Sequence, residues 1–91
     1  MTAELENILT ERGNNYGKFV DHAEVSQSLK LVVFNTKPRE KFSSSDQVEA
    51  LEMILHKIGR IVNGNHDYVD SWVDIAGYAK LVSDRLQGIE R

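Results

Sequence analysis

Cysteine is absent from this 91-residue chain, and that removes two classes of architecture at once. No disulfide framework can staple the fold, and no thiolate can hold zinc or iron. The composition suits a reducing compartment. Histidine is scarce too: His22, His56 and His66 lie in separate segments without His-x-x-x-His spacing, which argues against zinc. Basic residues do not cluster. The 11 Lys and Arg, spread from Arg12 to Arg91, face 14 Asp and Glu, for a net charge of −3. Such a chain has no general attraction for a nucleic-acid backbone, so DNA and RNA are not expected partners. A free nucleotide stays open, because a metal ion can neutralise its phosphates. Long apolar runs are missing as well. The longest, Leu31-Val32-Val33-Phe34, is far short of a membrane span, and Met1 to Glu6 has neither a basic region nor an apolar core of an export signal. These absences together predict a cytoplasmic protein without a membrane partner.

The single proline, Pro38, and a few glycines divide the chain into four helical segments, read as one all-α domain over 1–91. Thr2 is a candidate N-cap for a first helix ending near Glu11, before Arg12-Gly13-Asn14-Asn15. A second helix is expected from about Lys18 to Thr36, with Ala23, Ser26, Gln27, Lys30 and Phe34 on one face. The stretch from Asn35 to Ser45 reads as a loop. Ser44 with Gln47, or Asp46 with Glu49, offers a capping box for the third helix. That helix, about Asp46 to Val62, carries the clearest apolar stripe: Val48, Leu51, Leu55, Ile58 and Val62. Asn63-Gly64-Asn65 stops it. The fourth helix is expected from about Asp67 to Leu86, burying Tyr68, Trp72, Ile75, Ala79, Val82 and Leu86.

Charged residues ride beside these stripes. On a helical wheel, Glu49, Glu52, His56 and Asn63 share one strip of the third helix, and Asp67, Asp70 and Asp74 share one of the fourth. A short connection predicts an antiparallel hairpin, with both acidic strips at the edge of one interface. Like charges so placed repel unless something positive lies between them. A hard cation such as Mg²⁺ or Mn²⁺, held by Glu49, Glu52, Asp70 and Asp74, is the functional reading. Solvated surface carboxylates are the plain one. Tyr16, in a Gly/Asn turn, is open between base stacking, an intersubunit contact and packing on the second helix. Gly77 inside the fourth helix costs about 1 kcal/mol against Ala, which leaves it open between close helix approach and a tolerated defect. No P-loop and no Gly-x-Ser-x-Gly elbow is present.

The stretch Glu49-Ala-Leu-Glu52 followed by Asp70-Ser-Trp-Val-Asp74-Ile-Ala-Gly-Tyr78 resembles the MazG-like all-α nucleoside triphosphate pyrophosphohydrolases. It is similar in particular to their small phage-encoded branch, where a segment like Glu11 to Gly17 precedes the helices and Lys57 and Arg60 recur. The family pairs E-x-x-E on one helix with E-x-x-D on the next. Here Ser71 stands three residues before Asp74, and Asp70 lies one position back. The resemblance implies metal-dependent cleavage of a (d)NTP to (d)NMP and pyrophosphate, in phage nucleotide metabolism within a bacterial cytoplasm. It implies Mg²⁺, with Mn²⁺ as substitute, on Glu49, Glu52, Asp70 and Asp74, with Glu49 or Glu52 as base. Lys30, Lys57, Arg60, Asn15 and Tyr16 are its substrate-binding candidates. It also implies a four-helix bundle-like protomer completed as a homodimer or homotetramer. The nonstandard D-x-x-x-D sustains a rival: a catalytically weak or inactive nucleotide- or protein-binding module, such as a phage accessory or anti-defence protein.

Overall fold

The structure, a computed structural model, describes residues 2–91, and among these every regular element is helical. Helix α1 spans Ala3–Tyr16, α2 Phe19–Thr36, α3 Ser45–Asn63 and α4 Val69–Leu86, with one 3₁₀ turn at Arg39–Lys41. The chain is an all-α, bundle-like protomer in which α3 is central, packed on α2 along one flank and α4 along the other. Helix α1 packs mainly against α2 and α3, and buries no residue.

Local chemistry sets most boundaries. Thr2 caps α1 as expected, its hydroxyl accepting from the Leu5 amide at 3.2 Å. The helix then runs through Gly13 and stops only at Gly17, whose φ of 77° suits glycine. The expected end at Glu11 was therefore early by more than a turn. Neither capping box at α3 forms. Ser44 occupies the N-cap without a side-chain bond to the helix amides, and Asp46 turns toward α4. Helix α4 begins at Val69 rather than Asp67, which stays in the connecting turn.

The core is thin, as expected for a domain this small. Its buried apolar residues are Phe34, Ala50, Leu55 and Ile61, and no described side chain is fully enclosed. Two ion pairs fix the α3–α4 register. Arg85 donates from Nε and Nη2 to the two Asp46 oxygens (2.6 and 2.7 Å), and Lys57 meets Asp74 at 2.9 Å. Those pairs rotate α4 away from the expected arc. Ser71 is buried, Tyr78 is half-buried, and Trp72 (55%) and Leu86 (61%) are exposed. Trp72 spans the turn instead, its indole N–H donating to the His66 carbonyl at 2.9 Å. Val62, last in the α3 stripe, is 65% exposed for want of a neighbour.

Candidate functional site

The end of α3 pins the turn between α1 and α2. The Asn63 side-chain amide donates to the Tyr16 carbonyl at 2.9 Å and to the Lys18 carbonyl at 3.2 Å. The Asn65 amide donates to the Asn15 carbonyl at 2.7 Å. Gly64 lies so close to the Asn15–Tyr16 backbone that a Cβ there would collide with it. Sequence-distant stops thus lock together, and they hold Tyr16 in place. Its ring carries the Arg60 guanidinium at 4.1 Å and meets the Tyr68 ring edge-on at 5.8 Å.

A cleft of about 390 Å³ opens beside this lock, lined by Leu9, Arg12, Tyr16, Lys18, Phe19, His22 and Arg60 among others. None of its lining residues is acidic. Arg12, Lys18 and Arg60 have no carboxylate partner among the described residues, and the Arg60 Nε is buried without a hydrogen bond. Three cations beside two aromatic rings have the chemistry that suits an anion carrying a flat or apolar group. The volume lies within the usual range for small-molecule sites.

A second positive field lies along the same face of α3. His22 is buried, and its Nε2 donates to the His56 carbonyl at 3.1 Å. Gly59 leaves room for that ring. The His56 ring meets His22 edge-on at 4.5 Å. Burial, followed by the charges of Arg60, His22, Lys30 and Lys57, pushes His56 from the usual 6.5 down to about 4. Lys30, Lys57 and Arg60, all expected to hold phosphate, therefore act together on one residue. They are not equally free, because Lys57 is tied to Asp74 and its side chain is only 12% exposed. Asn15 contributes its backbone carbonyl to the lock.

The carboxylates are arranged differently from the expectation. Both α3–α4 ion pairs follow one antiparallel register, which sets Glu52 level with Ala79 and Glu49 with Val82. Along the helix axis Glu52 is about 7 Å, and Glu49 about 12 Å, from the level of Asp74. Glu52 turns toward the α2 side, where Arg39 binds it at 3.2 Å while lying over the Phe34 ring. Asp70 accepts from the Tyr68 hydroxyl at 3.0 Å, which raises the Tyr68 pKa. Glu49 is exposed. The two acidic strips therefore do not share an interface edge, and lysine and arginine offset their charge. Among the described residues no three His, Asp or Glu side chains stand close enough to share a metal ion. As placed in this protomer, Glu49, Glu52, Asp70 and Asp74 do not converge on one point.

A family model for DUF6378, a domain of unknown function, matches residues 1–86. The chain belongs to this family. No curated protein and no solved structure matches it. The DUF6378 match covers all four helices and the cleft. Arg12, Lys18 and Phe19, missed in the sequence, join Tyr16 and Arg60 there. Their signal was the glycine punctuation: Arg12 and Lys18 flank Gly13 and Gly17, where a chain reversal gathers neighbours.

Proposed function

We propose that this protein binds a free nucleotide, with its phosphates on Arg12, Lys18 and Arg60 and its base against Tyr16 and Phe19. The observation that carries the reading is the convergence of three unpaired cations and two aromatic rings in one cleft of a chain whose net charge is negative. A local positive site in an acidic protein favours small anions over polyanionic nucleic acid. Guanidinium groups match phosphate oxygens in pairs, and each such contact contributes roughly 1.5–3 kcal/mol. The exposed apolar surface of a 91-residue protomer supports action as a homo-oligomer.

Hydrolysis of a nucleoside triphosphate to monophosphate and pyrophosphate, in the manner of the MazG-like enzymes, is the second reading. One observation favours it. Among the described residues Glu49 has no ion-pair partner, and Glu52 is held only by a half-exposed arginine, a kind of contact worth about 1 kcal/mol or less. A protein partner in place of the nucleotide is the remaining form of the binding reading.

Titration calorimetry with ribo- and deoxyribonucleoside triphosphates, together with pyrophosphate release in Mg²⁺, Mn²⁺ and EDTA, separates these readings. Nucleotide binding that survives EDTA and weakens roughly 10-fold or more in Arg60→Ala supports the cleft. Metal-dependent pyrophosphate release that vanishes in Glu52→Gln moves the assignment to the enzyme. No binding by any nucleotide to the folded protein sinks both.

A further inference from the structure

The side of α4 that faces away from α3 is covered only at its C-terminal end, where Lys80 and Arg91 close over the buried Asp84. Val69 (66%), Val73 (59%) and Leu81 (49%) are exposed along it, with Ala76 and Gly77 between them. A Cβ built on Gly77 meets no atom within 4 Å. Nothing inside the protomer therefore requires glycine there, although glycine weakens a helix interior. A groove of about 610 Å³ runs over Val73, Gly77 and Leu81, walled by Asp74 on one side and by Lys80 and Arg91 on the other.

These positions are symmetric about Gly77. Lys80 follows it by three residues and Asp74 precedes it by three; Leu81 follows by four and Val73 precedes by four. If two such helices cross antiparallel at Gly77, each Lys80 faces the other copy's Asp74, and each Leu81 packs on the other copy's Val73. Both charged groups are accessible, Lys80 with 68% and Asp74 with 45% of the side chain exposed. Among the described residues each has one ionic partner, Asp84 and Lys57 respectively, so each can accept a second. An isologous interface requires this self-complementary pattern, and a glycine at the crossing lets two backbones approach closely.

We infer that two copies of this chain pair through α4, antiparallel about a two-fold axis at Gly77. The inference rests on the homo-oligomer of the proposed function and not on its nucleotide. Association is measured without ligand, so failure of one does not imply failure of the other.

The chain has no native cysteine, which makes the test direct. Helix axes about 8–10 Å apart leave facing Cα atoms at a crossing roughly 3.4–5.4 Å apart, so axes near 9–10 Å meet the roughly 4.4–6.8 Å span of a disulfide. Gly77→Cys should therefore oxidise rapidly to a covalent dimer, whereas Val62→Cys and Leu31→Cys, equally exposed on other helices, should not. Gly77→Leu, whose added atoms meet open space in the protomer, should keep its helical circular dichroism but sediment as a monomer. A wild-type chain that sediments as a monomer across micromolar concentrations overturns the inference. So does a dimer that survives Gly77→Leu, or one that crosslinks as readily through Val62→Cys.

Discussion

His56 is the residue at which packing and charge most strongly oppose a proton. In the unfolded chain its imidazole takes up a proton near pH 6.5; in the fold it resists until about pH 4, because of burial and the surrounding Arg60, His22, Lys30 and Lys57. The unfolded state then binds more protons throughout that window, so stability falls as pH drops from 6.5 toward 4. After discounting for solvent screening, the loss should be about 1–2 kcal/mol. Melting curves between pH 7.5 and 4 should show it, and His56→Gln should flatten the slope. Asp46 supplies a control within the same molecule. The Arg85 hydrogen bonds lower its pKa to about 2, so that bridge stays intact across the window. A nucleotide phosphate on Arg60 would offset part of the field on His56 and move its titration upward. The site's acid response should therefore shrink when ligand is bound.

At the scale of the element, the lock between the α1–α2 turn and the end of α3 decides whether the cleft exists. Gly64→Ala should be destructive, since its methyl meets the backbone of Asn15 and Tyr16, which cannot swing aside as a side chain would. A loss of about 2 kcal/mol or more in denaturant unfolding, together with weakened nucleotide binding, is the expected result. A neutral Gly64→Ala would show that the lock does not position the site. The helices were largely legible because their stops are local: Asn63-Gly64-Asn65 ends α3 whatever it packs against. Tyr16 and Arg60 were legible for a related reason, each lying in a distinctive segment. Arg12 and Lys18 were not, because their partners are dozens of residues away and appear only when Asn63 bonds to Tyr16 and Lys18. The facing of α4 was misjudged for another physical reason. An apolar wheel places Trp72 inside, but two ion pairs and the His66 carbonyl hold that helix at a different rotation. The same register keeps the carboxylate pairs apart, although each pair's spacing was read from the sequence.

The whole molecule is an uneven object. Helices α2, α3 and α4 form a layer with a small core, while α1 lies against it through few contacts. Its apolar residues Leu5, Ile8 and Leu9 are 41–48% exposed, so little burial holds the helix down. Arg12, Leu9 and Tyr16 nevertheless form one wall of the cleft. The molecule thus assigns its least anchored helix to a cleft that gathers three cations and no carboxylate. Cooperative units with few buried contacts open at low free energy, well below global unfolding. In hydrogen-exchange experiments the α1 amides should exchange first, ahead of those in α3. A ligand bridging Arg12 on α1 to Arg60 on α3 joins the two units, and α1 should slow toward the rate of the layer. Ligand recognition by this protein would then be the closing of a latch, measured in the exchange rate of fourteen residues rather than in any movement of the core.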